Sequence, residues 1–218
     1  LLTILVARTV PAYQHVTLMT LASNPKLAVV AQAAAYPVVA LFIYVLVRSR
    51  AHRTFSEAIQ WRWPSSALSF IAFGVGLALA IQWVSRLLPI PKSMPVDQYF
   101  NDMTSAYMMA MFGTTLAPLL EELFFRGLLF PILRRWLGLA TAVVLTGAAF
   151  AAIHGAQLGY SWGPVVSIFT VGVALTLVRV RAGSVAASFL VHAGYNLTLF
   201  VLLWFASDHY RHLEKALS

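Results

Sequence analysis

The chain has 218 residues, of which 60 % are hydrophobic and 10 % charged, with a formal net charge of +8 and no cysteine. Soluble domains carry roughly 25 % charged residues, so this composition excludes an ordinary soluble domain, a disordered chain and any thiol or disulfide chemistry. In a soluble protein +8 would point to nucleic acid. Here the basic residues lie mainly in short connections between apolar runs, a pattern that sets membrane topology and implies no nucleic-acid partner.

The expected fold class is all-α, a polytopic transmembrane bundle of about six to eight helices, because a span needs roughly 20 apolar residues. Residues 1–22 are apolar but broken by Arg8, Pro11 and His15, which fits a truncated span or an interfacial helix. The first residue is Leu1 rather than a methionine, so the expectation is a trimmed N-terminus. Residues 27–47 and 66–88 follow as spans, the first ending at Arg48, Arg50 and Arg53. Residues 105–133 are apolar except for Glu121, Glu122 and Arg126 and end at Arg134 and Arg135. As one straight helix that stretch would run roughly 43 Å, so it must tilt, break or leave the membrane. Pro118 and Pro131 each lack an N–H, which places a kink or break beside Glu121. Further spans are expected at 141–157, 163–178 and 184–206. The basic clusters follow alternate crossings and therefore share one face, taken as cytoplasmic. By this threading, residues 1–104 are N-terminal helices and loops, 105–206 a catalytic core, and 207–218 a polar tail.

Two of only seven acidic residues, Glu121 and Glu122, stand side by side inside an apolar run. A carboxylate within a span costs at least a few kcal/mol and is by default a functional-site hypothesis whose partners should be sought. Arg126, His154, His192 and Asn196 are the available partners. Measured from the expected cytoplasmic ends, Glu121, His154, His192 and Asn196 lie at about 12 to 20 Å along their helices, in one layer. Glu122 and Arg126, at i and i+4, are about 40° apart and can pair, whereas Glu121 is about 140° from Arg126. One carboxylate is thereby neutralised and held, and the other is left free to take a proton from water. Phe150 and His154, like His192 and Asn196, have the same i,i+4 spacing.

Structural readings stand beside these. An intramembrane histidine can simply hydrogen-bond between helices, a Glu–Arg pair can be a clamp, and Asn196 can bridge two spans. His15, His52, His209 and His212 are read as solvated. Trp61, Trp63, Trp136 and Trp162 read as interfacial anchors, and Gly74, Gly76, Ala148, Ala152 and Gly172 as helix-packing positions.

Glu121-Glu-Leu-Phe-Phe-Arg126 matches E-E-x-x-x-R, Phe150-Ala-Ala-Ile-His154 matches F-x-x-x-H, and His192-Ala-Gly-Tyr-Asn196 matches H-x-x-x-N. In this order on membrane helices, they resemble the CAAX protease and bacteriocin-processing family: the type II prenyl-protein endopeptidases and their bacterial relatives, the Abi proteins. The resemblance covers about residues 110–205 and looks more like a prokaryotic member. It implies an intramembrane endopeptidase of glutamate type. Glu121 and His154 would activate a water, His192 and Asn196 would bind the oxyanion, and Glu122 and Arg126 would support the site.

No cofactor is expected. The alternative is zinc held by His154, His192 and Glu121, since two histidines and a carboxylate form a catalytic zinc set; no H-E-x-x-H is present. Buried Glu, His and Arg also build proton or ion relays, so a coupled transporter is a second function class, and a non-catalytic maturation or immunity scaffold a third. The partners expected are a peptide or membrane-protein substrate, the lipid bilayer and a second copy of the chain. The location expected is multi-pass in a bacterial plasma membrane.

Overall fold

The computed structural model describes residues 24–50 and 53–212, and in this part every element is helical. The expected segment at residues 1–22, with His15, lies outside the described residues, as do His52 and residues 213–218 of the tail. In chain order the elements are α1 (Pro25–Arg50), α2 (Phe55–Ile59), α3 (Ala67–Ser85), a 3₁₀ turn (Pro95–Phe100) and α4 (Met103–Thr114). They continue with α5 (Leu116–Glu122), a π-helical segment (Leu123–Leu129), α6 (Phe130–Leu137), α7 (Leu139–His154), α8 (Trp162–Ala182) and α9 (Val185–Ala206).

Among the described residues four helices are long and apolar enough to cross a membrane: Pro25–Ser49, Ala67–Ser85, Trp162–Ala182 and Val185–Ala206. Two of the six apolar stretches read from the sequence, 105–133 and 141–157, are not among these long helices. The fourth expected span stops at His154, leaving a helix of 16 residues, because the chain turns through 155–161 with Gly159 at φ +59. His154 therefore stands at a helix end rather than three residues inside one.

The 105–133 stretch breaks, as its length and prolines predict, and divides into four pieces. α4 starts on an Asp102 cap whose carboxylate accepts from Ser105 N at 3.1 Å and Ser105 Oγ at 2.6 Å. Those bonds, the hydroxyl foremost, hold the Asp102 carboxyl below its ordinary range, and Lys26 Nζ pairs with it at 3.1 Å. The helix breaks at Thr115 (φ −117, ψ −77), three residues before Pro118, which has no N–H to offer Thr114. After Glu122 the ladder widens to a π spacing, and Phe130 N donates to Phe125 O. The α spacing returns at Pro131, which lies in the first turn of α6, where its missing N–H costs little. π segments inside α-helices are frequent at functional sites.

α3 and α9 are the closest pair. A Cβ built on Gly74 would overlap Val191 O and lie 2.8 Å from Tyr195 N; one on Gly194 would lie 2.7 Å from Ile71 O. Ala78, Ile81, Val171, Leu175, Val191 and Tyr195 form the core around this crossing. α7 meets α8 in the same way, through Gly147 against Gly172. Gly76 by contrast meets nothing within 4 Å, and Ala148 and Ala152 are exposed. The packing face of α7 runs instead through Gly147 and Ala151, one residue earlier than expected. Gly74→Val should lower stability by about 2 kcal/mol or more, because two backbones must separate, while Gly76→Val should be neutral. Thermal unfolding of both in the same detergent checks this pair.

Trp63, Trp136 and Trp162 are exposed near helix ends, and Trp61 packs on Trp63 and Phe189. The start of the tail folds back on the bundle: Tyr210 packs on Phe100 and donates to Phe200 O at 2.9 Å. His209, expected to be solvated, sets its ring 4.0 Å from that of Trp204 and pairs with Asp208. The backbone N–H of His212 donates to Ser207 O at 2.8 Å. At the opposite end of the bundle Arg179 is buried and donates to Gln60 Oε1 at 2.7 Å, with Arg62 and Arg134 as charged neighbours.

Candidate active site

The π segment carries Arg126 inward, and both Arg126 and Glu122 are fully buried. Glu122 Oε1 accepts from Arg126 Nη1 at 2.8 Å and from His192 Nδ1 at 3.0 Å. The guanidinium continues to α8: Nη2 donates to Gly172 O at 2.8 Å and Nε to Thr176 Oγ1 at 3.4 Å. Its Cζ lies 4.7 Å from the Phe150 ring centroid, within cation–π range. The π segment, α8 and α9 are therefore fixed to one another through this ion pair, Arg126 reaching α8 and Glu122 reaching α9. A buried ion pair is tolerated when its remaining hydrogens and lone pairs are met. Here Glu122 Oε2 alone has no hydrogen-bond partner among the described residues at the pair.

Glu121 points the other way, into a cavity. Its Oε1 is 4.0 Å from His154 Nε2, and its Oε2 is 3.7 Å from His192 Nε2. It takes no part in the Arg126 pair. His154 Nδ1 lies 2.8 Å from Phe150 O. A carbonyl can only accept, so Nδ1 carries the hydrogen, and in the neutral ring Nε2 is the lone-pair nitrogen turned toward Glu121. The same reasoning applies to His192, whose Nδ1 faces the Glu122 carboxylate. Phe150 fills the space between the two imidazoles, at ring-centroid distances of 4.7 Å from His154 and 5.5 Å from His192.

The cavity has a volume of about 280 Å³ and is walled by Glu121, His154, His192 and Asn196 among apolar side chains such as Phe112 and Phe200. All six residues singled out in the sequence are thus brought into one neighbourhood: four on the cavity wall, and Glu122 with Arg126 directly behind it. Asn196 has a structural bond as well, its Nδ2 donating to Gly113 O at 2.7 Å and tying α9 to the last turn of α4.

Sequence reasoning missed Gly172 and Thr176, which hold Arg126, and Gln32 and Gln157, which line the cavity. Gln32 had the same signal as the charges, a polar side chain in an apolar span. Gly172 acts through its carbonyl, which no side-chain pattern reveals.

Among the described residues no set of three or more His, Cys, Asp or Glu groups is arranged to hold a metal ion. His154, His192 and Glu121 face one another without forming such a set, so these donors do not fit a zinc ion.

Comparison with known proteins gives one family. Residues 103–198 match the family described as type II CAAX prenyl endopeptidase Rce1-like. That span runs from the first residue of α4 into α9 and contains all six site residues. No curated protein and no solved structure matches the chain.

Proposed function

We propose, from the premise that residues 103–198 form an Rce1-like domain, that this chain is an intramembrane endopeptidase of glutamate type. The family assignment points to a CAAX-type membrane protease, and the four apolar helices make the chain an integral membrane protein. The residue roles rest on one observation above all. Of two adjacent carboxylates, Glu122 is locked by Arg126 and His192, while Glu121 faces His154 across a cavity at 4.0 Å.

That gap suits a water. An oxygen at about 2.8 Å from both Glu121 Oε1 and His154 Nε2 gives each of them one of its hydrogens. Its lone pair is then free for a peptide carbonyl carbon in the cavity. On attack the C–O bond forms, one water proton passes to Glu121, and the carbonyl electrons move onto oxygen. Collapse breaks the C–N bond as that proton is returned to the departing nitrogen.

His192 and Asn196 are the oxyanion donors in this reading. His192 can donate from Nε2 only when both ring nitrogens carry hydrogen, since Nδ1 already gives one to Glu122. Asn196 has a second amide hydrogen beyond the one given to Gly113 O.

The mechanism is proposed as metal-free. The substrate is proposed to be a peptide or membrane protein presented from the bilayer, with bacterial plasma membrane as the location and a homo-oligomer as a possible assembly. The test is cleavage of a membrane-peptide library by purified protein in proteoliposomes, with and without a strong zinc chelator. Chelator-insensitive cleavage by wild type that is absent from Glu121→Gln is the result expected. Cleavage lost with chelator and restored by zinc would replace the metal-free mechanism. A folded wild type that cleaves nothing would reject the protease and favour a transporter or scaffold.

A further inference from the structure

A second cavity of about 300 Å³ reaches the same catalytic pair from another direction. It lies between α1 and the π segment and is walled by Val39, Leu120 and Phe124. The first cavity runs the other way, toward Phe100 and Phe200. The two share four residues: Gln32, Glu121, His154 and Gln157. All four are polar, and they stand where two apolar spaces meet.

We propose, as a deepening of the protease reading and resting on it, that these cavities are the two halves of one channel for an extended apolar peptide. The lateral cavity is the subsite for the chain on one side of the scissile bond, and the carboxamides of Gln32 and Gln157 hold the peptide main chain where it passes between the halves. An extended peptide presents an N–H or C=O on each side about every 3.3 Å. Within apolar walls, each such group left unmet costs binding energy. A carboxamide supplies both a donor and an acceptor, whereas Glu121 is acceptor only when ionised.

The two glutamines are placed for this. Gln32 sits half-buried on α1 and spends one hydrogen on Tyr36 Oη at 3.1 Å, which orients its amide and leaves Oε1 as an acceptor. Gln157 is three residues beyond His154. Its loop is fixed by Val96 N donating to Gln157 O at 3.0 Å, and its carboxamide is hydrogen-bonded to no described residue. A lipid chain could also enter the lateral cavity, but it has no main-chain polar groups and would give neither glutamine a partner.

The experiment uses the whole protein in proteoliposomes and one library peptide that wild type cleaves. That peptide is compared with copies N-methylated singly at the main-chain amides flanking the cleaved bond. Gln157→Leu and Gln32→Leu should each raise KM roughly five- to tenfold, with kcat falling far less, as for loss of a hydrogen bond made throughout the reaction. One methylated position should cost wild type a similar factor and cost the matching leucine variant nothing further, the signature of a direct pair. Gln157→Asn should recover part of the loss. Unchanged KM in both leucine variants with cleavage retained would overturn the channel and leave the protease standing. Equal methylation penalties in wild type and variants would do the same and would favour lipid as the occupant. If folded wild type cleaves no peptide, the protease reading fails first and this inference with it.

Discussion

Glu121→Gln is expected to lower peptide cleavage by roughly 10²- to 10⁴-fold, the usual worth of a positioned general base. The substitution is isosteric, and Glu121 has no ionic contact closer than 3.7 Å, so unfolding should occur at the wild-type temperature. His154→Ala should lose activity by a comparable factor. The double variant should be little slower than the slower single one, because both groups act on the same water and removing either leaves it unactivated. Losses that multiplied would show that the two residues serve separate steps and would remove the shared-water mechanism. Initial rates in proteoliposomes at one substrate concentration below KM are sufficient, with the unfolding temperature of each variant measured beside them.

Arg126→Met should destabilise the protein by about 3 to 5 kcal/mol, the cost of leaving a buried carboxylate without its partner. Methionine fills much of the same volume, so the effect comes from charge and hydrogen bonds rather than from a cavity. The variant strands Glu122, which has no solvent exposure, and also removes the contacts to Gly172 O and Thr176 Oγ1 that tie the π segment to α8. Adding Glu122→Gln should recover at least half of the lost stability, since no net charge then remains in the core and the glutamine oxygen can still accept from His192 Nδ1. Cleavage should stay low in the double variant, because the bonds from Arg126 that fix the π segment to α8 beside the site are still missing. Equal stability of the single and double variants would mean that the guanidinium holds the bundle through α8 alone. Denaturant titration in a fixed detergent, paired with the cleavage assay, separates the two outcomes.

How much of this was legible depended on distance along the chain. The Glu122–Arg126 pair could be read from i,i+4 spacing because it is local, and it survives even though the helix widens to a π spacing between the two residues. The break near Pro118 was legible for the same reason, since a missing N–H acts on its own helix. Its position at Thr115 was not, because the break is shared among Thr115, the π segment and the packing of α4 on α9. Gly76 and Ala148 show the limit of composition. Small residues permit close approach, but which of them meets a neighbour depends on the helix's rotation. Gly74 and Gly147 are buried against α9 and α8, whereas Gly76 faces open space.

By itself the amino-acid sequence determined that the chain is an all-helical membrane protein, that its rare charges are functional candidates, and which two of them pair within one helix. These follow from the cost of charge in hydrocarbon and from the 3.6-residue period, both local properties. Only the tertiary structure decided that His192 joins Glu122 from 70 residues away, that Gly172 and Thr176 anchor the guanidinium, and that α1 brings Gln32 to the Glu121–His154 pair. Those contacts depend on how helices rotate and cross, which is set by the few positions where backbones touch, and no single segment encodes that geometry.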